Sequence, residues 1–325
     1  MPSRGSRDRD AVFDDVRAAD EAGVDTIWVG ESWGEDAFTL MTQVVERTKH
    51  INVGSAIVNV YSRTPGTIAQ HFGTLDVVSG GRMVIGLGTS GANVIEHFHG
   101  VPFKFPLRRL QEYVDIIKLL IAGEPLEYEG ELFEMSRGFT LRFERQRDHI
   151  PIYLATLAPA SLRTTSERAD GWLPIWTPME VLPQLSEEIR LQATKAGRPA
   201  DAVTVRSPGG VVVTNDVERV RAQIAGTFAF YVARMGEFYY RHIHRIGYGE
   251  VADSIREAWE SGGSAAGAVA VPADLQQSLT YVTDSIDAAR ERLAAEAEAG
   301  VGLHTVQVDA ETPKEAERIY AALRD

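Results

Sequence analysis

Short β-branched runs alternate with longer amphipathic stretches along nearly all of the 325-residue chain. Residues 26–30 (TIWVG), 51–58 (INVGSAIV), 83–87, 150–155, 171–175, 203–213 and 304–308 read as strands. Between them, 10–22, 38–47, 65–78, 107–122, 160–168, 181–196 and 284–299 carry apolar residues at helical spacing. Gly23, Gly80 and Gly300 close three of these helices. Strands separated by helices in this way pair in parallel, so the chain is expected to be α/β, built of βαβ units. Residues 127–143 interrupt the alternation as a hairpin, and 216–259 as a mostly helical stretch broken at Ser261-Gly262-Gly263. No linker divides the chain, which predicts one domain over 1–325 with a helical insertion at 226–268, before the last strand. Seven strands are legible and none precedes the first helix, whereas a TIM (β/α)8 barrel has eight. Residues 1–9 (MPSRGSRDR) are too charged, and too rich in Gly and Pro, for a buried strand. The expectation is therefore a TIM barrel with its first strand missing, the chain starting downstream of it.

Charge and composition narrow the function. Forty-six acidic residues against 33 basic ones give a net charge of −13, which repels phosphate backbones and argues against a nucleic-acid partner. Cysteine is absent, which excludes disulfides, thiolate metal sites, iron–sulfur clusters and a cysteine nucleophile. No apolar run is long enough to span a membrane, and the N-terminus lacks the apolar segment of a signal peptide, so a cytoplasmic location is expected.

The informative motifs sit where strands end. Gly86-Leu87-Gly88-Thr89-Ser90-Gly91 matches G-x-G-x-x-G directly after a strand. A nicotinamide fingerprint also needs a helix opening at once and an acid about 20 residues on. Here an aromatic, Pro-broken segment follows, so that reading fails. The glycines still imply close approach of backbone at the strand's C-terminal end, the active-site face of a barrel. Residues 26–30 run into Glu31, Ser32 and Trp33. Gly54, Ser55 and Ala56 are small residues inside a bulky strand, and suit either a bulge, a flat ligand on the backbone, or plain barrel packing. Residues 150–155 run into Thr156-Leu157-Ala158, where a helix start offers N–H groups to an anion.

The histidines are weaker signals. His71 reads as a helix-face residue, while His97 and His99 flank Phe98 in the loop after the glycine motif, where a site role and a packing role are equally open. His242 and His244 are two apart on a helix and so face different sides, which argues against a shared metal. The hydrolase-elbow, P-loop and H-E-x-x-H motifs are absent. The aromatic run 228–240 (FAFYVARMGEFYY) reads as packing of the insertion, with a substrate-pocket wall as the second reading.

Taken together, TIWVGES, INVGSAIVNVYSRTP, TLDVVSGGRMVIGLGTSG, HGVPF, IPIYLATLAP, RADGWLPIW and AFYVARMGEFY resemble the bacterial-luciferase-like oxidoreductases, over nearly the whole chain. More narrowly, they resemble the coenzyme F420-dependent, methylenetetrahydromethanopterin reductase-like branch. The resemblance implies a TIM barrel with an insertion before its last strand, hydride transfer between a deazaflavin and a small organic substrate, and a homodimer. It implies a non-prolyl cis peptide within Ser55-Ala56-Ile57, at Ala56–Ile57, forming a bulge behind the ring. It places Glu31, Ser32 and Trp33 beside the ring, Gly88, Thr89 and Ser90 on the next loop, and Thr156, Leu157 and Ala158 at the cofactor phosphate. Some relatives carry a histidine and a glutamate where this chain has Ser32 and Gly91, which argues against the sugar-phosphate dehydrogenase subtype. Glu31 is then the expected proton handler, with Asp36 and His99 in reserve. The alternatives are an FMN-dependent monooxygenase and a non-catalytic flavin- or deazaflavin-binding protein. The aromatic insertion suggests an apolar or ring-shaped substrate.

Overall fold

The β-branched runs of the first half lie side by side in one parallel ladder. In the computed structural model, which describes residues 9–324, the chain divides into one unit ending at Trp172 and another beginning at Leu173. The first unit runs α1 (Arg9–Glu21), β1 (Thr26–Val29), α2 (Ala37–Arg47), β2 (Asn52–Ser55), β3 (Val58–Asn59), α3 (Pro65–Ser79) and β4 (Met83–Gly88). It continues α4 (Ala92–His97), α5 (Pro106–Ala122), β5 (Leu126–Glu129), β6 (Glu134–Phe139), β7 (Ile152–Ala155), α6 (Pro159–Arg168) and β8 (Gly171–Trp172). Strands β1, β2, β4, β7 and β8 are neighbours in that order, all parallel, and β3 pairs with the far end of β4. β5 and β6 form the expected hairpin. Helix boundaries follow local chemistry. α3 starts at Pro65 after Thr64, whose hydroxyl accepts the Thr67 N–H, and stops at Gly80, whose φ of 70° suits glycine. The apolar stripes of α2, α3 and α5 (Met41, Phe72 and Ile117 among them) share one core with Val53, Ile85 and Leu154 of the strands.

Carboxylates hold the N-terminal ends of three strands. Asp20, on α1, accepts N–H bonds from Lys49, His50 and Ile51 at 2.8, 2.9 and 2.7 Å, just ahead of β2. Asp76, on α3, accepts from Met83 at the start of β4 (3.1 Å), and its Oδ1 pairs with Arg147 Nη2 at 2.7 Å. Asp170 accepts from Ile152 at the start of β7 (2.8 Å).

The second unit runs α7 (Leu182–Lys195), β9 (Thr204–Val205), β10 (Val211–Thr214), α8 (Val217–Arg234), α9 (Glu237–Arg245), α10 (Gly249–Val269) and α11 (Ala273–Leu279). It ends β11 (Tyr281–Thr283), α12 (Ile286–Glu298), β12 (Val306–Asp309) and α13 (Pro313–Arg324). β10 lies between β11 and β12, parallel to both. The long strand expected at 203–213 is two strands. Ser207-Pro208-Gly209-Gly210 breaks it, with Gly210 at φ 73° and Gly209 so close to the Leu279 carbonyl that a Cβ would lie 2.0 Å from it. β11 was not expected: three residues between two helices carry no readable period. It also means that two strands, not one, follow the helical stretch. Helices α8, α9 and α10 extend beyond 226–268 at both ends, and the expected glycine break appears as a kink at Gly263 (φ 71°) inside α10. β8 is shorter than the strand expected at 171–175. The expectation for residues 1–9 falls outside the described residues, except that Arg9 opens α1. Among the described residues no helix is long and apolar enough to cross a membrane.

Candidate active site

The C-terminal ends of β1, β2, β4 and β7 meet on residues that leave little room for side chains. The ladder between β2 and β4 pairs Gly54 with Val84, but β3 pairs Val58 with Leu87, a slip of one residue. That slip is a bulge, and Ala56–Ile57 within it is a cis peptide, at the bond the sequence resemblance had indicated. Ser55 secures the bulge: fully buried, its hydroxyl donates to the Gly86 carbonyl (2.7 Å) and accepts the Gly86 N–H (2.9 Å). A Cβ on Gly30 would come within 3.2 Å of the Ala56 carbonyl oxygen. One on Gly88 would meet Ile57 Cδ1 at 3.0 Å and Ala155 Cβ at 3.4 Å. Gly30, Ala56, Ile57, Gly88 and Ala155 therefore come together across four strands.

The three readings open for Gly54-Ser55-Ala56 divide by residue. Gly54 is small because Trp28, its partner across the ladder, lies on it, 2.7 Å from where a Cβ would be. Trp28 packs in turn on Tyr153 at 5.4 Å. Packing explains Gly54, and the bulge explains Ser55 and Ala56.

The loop after β1 is held by a charge cluster that the sequence did not reveal. Glu31, with its side chain 8% exposed, receives both Arg63 nitrogens, at 2.7 and 2.8 Å, and the Ala37 N–H at 3.1 Å. Arg63 also pairs with Asp36, the N-cap of α2, and lies 4.9 Å from the Phe38 ring centre. The Glu31 hydrogen bonds, with the charges of Glu31 and Asp36, outweigh partial burial and raise the guanidinium's affinity for its proton. His71 stacks on Phe38 at 4.1 Å, as a helix-face residue; burial and the Arg63 charge lower its basicity. Both Glu31 oxygens are thus engaged. Ser32 and Trp33 beyond it are exposed, Trp33 by 51%. The signal for Arg63 was available in NVYSRTP, since a loop carboxylate near a site needs a counter-charge.

Asn59 is the second residue missed. Its Oδ1 accepts the N–H groups of Tyr61 (2.9 Å) and Ser62 (2.8 Å), so Nδ2 is the group that faces His99 Nε2 at 3.4 Å. A donor there makes Nε2 the acceptor and leaves the imidazole proton on Nδ1. Asn59 is paired with Gly88 in the ladder, so His99 is brought to the end of β4. His97 is exposed at the end of α4. Thr89 donates through its hydroxyl to the Ser90 carbonyl (3.2 Å), and Ser90 has φ 56°.

After β7, Thr156 and Leu157 are buried. The Thr156 hydroxyl bonds Thr165 at 2.7 Å, and its carbonyl accepts from the Trp172 indole at 2.8 Å. Ala158 is the N-cap of α6, and its N–H meets Ser161 Oγ at 3.2 Å. His242 is buried and His244 is exposed on Asp253 at 2.9 Å, on different sides of α9. Among the described residues no three His, Asp or Glu side chains are grouped to hold a metal.

Residues 2–303 match the family model for luciferase-like monooxygenases. A Mycobacterium tuberculosis protein named as a coenzyme F420-dependent oxidoreductase, Rv3520c, is 31% identical over 309 residues, 90% of this chain and 88% of that one. The 5,10-methylenetetrahydromethanopterin reductase of Archaeoglobus fulgidus is 29% identical over 219 residues, 67% of this chain and 65% of that protein. The solved structure of the coenzyme F420-dependent tetrahydromethanopterin reductase from Methanopyrus kandleri superposes with a TM-score of 0.79 over 97% of this chain and 94% of that one, at 22% identity. The fold class is that of these proteins, the luciferase-like TIM barrel. The chain belongs to the luciferase-like monooxygenase family.

Proposed function

We propose that this protein is a coenzyme F420-dependent oxidoreductase that passes a hydride between the deazaflavin and a small organic substrate. The family assignment and the F420-dependent relatives support the enzyme class and the cofactor. The observation that carries the site is the convergence of Gly30, Ala56, Ile57 and Gly88, a surface of backbone and small groups on which a flat ring can lie. When bound, F420 would supply the hydride carrier at C5 of its ring. The chain supplies position and a dry floor. Ala56 and Ile57 would form that floor, with Ser55 and Gly88 holding it from beneath, Thr89 and Ser90 one side, and Ser32 and Trp33 the other. The segment Thr156-Leu157-Ala158 at the start of α6 would take the cofactor's phosphate, Ser161 Oγ releasing the Ala158 N–H that it now caps. Glu31, expected from the sequence to handle a proton, has both oxygens occupied, and we assign it to fixing the loop that carries Ser32 and Trp33. The proton then falls to His99, which holds it at Nδ1 while Asn59 fixes Nε2. One luciferase-like domain, a homodimer and a cytoplasmic location complete the proposal.

Titration of the purified protein with F420 and, separately, FMN tests it. The expected result is saturable micromolar F420 binding with FMN silent. The reverse would make it an FMN monooxygenase, with oxygen consumption as the next assay. F420 binding without turnover on any of a substrate panel would leave a binding protein.

A further inference from the structure

The second unit contains buried polar atoms that the proposed chemistry does not use. His242, on α9, is 1% exposed, and at most one of its ring nitrogens is engaged, weakly, by the Trp176 backbone carbonyl. The Trp176 indole N–H is likewise shut off from solvent and has no hydrogen-bond partner. The two share one neighbourhood. The Trp176 backbone carbonyl bears on the His242 imidazole. The Trp176 ring packs on Phe228 at 5.3 Å and Tyr231 at 5.4 Å, and Tyr231 packs on Tyr239 at 4.8 Å. Tyr239 precedes His242 by three residues on α9, hence on the same face. Trp176 also has φ 52°, in the left-handed region that a bulky residue rarely adopts.

Proteins rarely leave buried polar atoms unpaired, because each forfeits its bonds to water without replacement. A leucine at 242 would fill similar space at no such cost, and a phenylalanine at 176 would keep an aromatic face without the N–H. A strained backbone that presents an unpaired donor beside an imidazole with one nitrogen left over, within a ring of aromatic faces, has the composition of a ligand site rather than of a core. Burial, with the Arg245 charge, holds the imidazole's pKa down to about 4, so it is neutral near pH 7 and offers one acceptor and one donor.

We propose that Trp176 and His242 form a binding subsite for a neutral, apolar ring compound bearing one hydroxyl or carbonyl oxygen. The indole N–H donates to that oxygen, and the imidazole nitrogen that does not face the Trp176 carbonyl accepts from a hydroxyl. The aromatic faces of Phe228, Tyr231 and Tyr239 take the hydrocarbon part. This deepens the oxidoreductase reading by naming a substrate class, and rests on it only for the identity of the ligand as substrate.

The test is calorimetric titration of the full chain, with and without F420, using cyclohexanol, cyclohexanone and methylcyclohexane as probes. Wild type is expected to bind the two oxygenated probes saturably and methylcyclohexane at least about fivefold more weakly. His242→Leu should melt at the same or a higher temperature, yet bind cyclohexanol about tenfold more weakly and methylcyclohexane no differently. Trp176→Phe, which removes the donor with part of the ring and keeps an aromatic face, should weaken both oxygenated probes relative to methylcyclohexane and serves if the leucine variant fails to fold. Both variants should bind F420 as wild type does. Oxygenated probes that do not saturate on wild type in either state, or variants that bind them as wild type does, would overturn the subsite. A protein that binds the probes through His242 but takes no F420 would overturn the cofactor reading and leave the subsite standing.

Discussion

Arg63 pairs with both Glu31 and Asp36, and its removal is expected to be the most damaging single change at the site. Arg63→Met would leave the nearly buried Glu31 uncompensated, a loss of about 3–5 kcal/mol. Glu31→Gln keeps an oxygen for the Ala37 N–H and should cost less, about 1–3 kcal/mol. Urea unfolding of the two variants checks the order, and equal losses would overturn it. Both should weaken F420 binding, since the loop bearing Ser32 and Trp33 loses its anchor. Gly88 is limiting in a different way. In Gly88→Ala the new methyl crowds Ile57 Cδ1, an overpacking cost of about 1–3 kcal/mol together with weaker F420 binding. Ile57→Val removes that methyl but leaves the Cγ1 position at 3.1 Å, so the double variant should regain part of both losses; an additive double variant would refute the contact.

At the scale of elements, the two ends of the parallel strands are built from different chemistry. C-terminal ends carry glycine, a bulge and serine, whereas at the N-terminal ends aspartates from neighbouring segments accept the backbone N–H groups of β2, β4 and β7 or of the residues just ahead of them. Ser55→Ala deletes both hydrogen bonds that tie the bulge to Gly86 and should cost about 1–3 kcal/mol, read as a lower melting temperature with F420 affinity falling in parallel. The aspartates predict behaviour in acid. Burial raises the Asp20 carboxyl, but three backbone N–H bonds and the nearby His50 outweigh it and leave the pKa below its ordinary 3.8. Burial is likewise outweighed at Asp170, by His149, the Ile152 N–H and Lys118. A folded-state pKa below the unfolded one gives stability that is complete above the unfolded value and lost as pH falls through the folded one. Unfolding free energy should therefore hold near pH 6 and drop below about pH 3.8. Asp20→Asn should lower stability at pH 6 and flatten that drop; an unchanged slope would remove Asp20 from the account.

For the whole molecule, the net charge of −13 sets solution behaviour more than fold. A homodimer of the 35.7 kDa chain predicts twice that mass by light scattering at physiological salt. Because like-charged subunits repel more strongly when unscreened, dissociation should be easier at low ionic strength. A single-chain mass at all salt concentrations would remove the dimer.

The alternation of β-branched runs with amphipathic stretches was enough to give the α/β class, the parallel pairing, the hairpin and the glycine-bounded helices, because period and chain breakers are local properties. The same locality explains the failures. β11 is three residues long, and the break between β9 and β10 is imposed by the Leu279 carbonyl and Thr305, both distant in the chain, pressing on Gly209 and Gly210. At the site, family resemblance located the bulge, but only the fold could show what each small residue is for. Gly54 answers to Trp28, Ser55 to Gly86, and Gly88 to Ile57 and Ala155. Glu31 was legible as a loop carboxylate, while its role was set by Arg63, 32 residues on. His99 needed Asn59, 40 residues earlier, to fix its proton. The sequence determines which groups are available and which local conformations they favour. Tertiary structure decides which of them meet, because an ion pair or a steric contact depends on distance in space, and the chain order does not encode it.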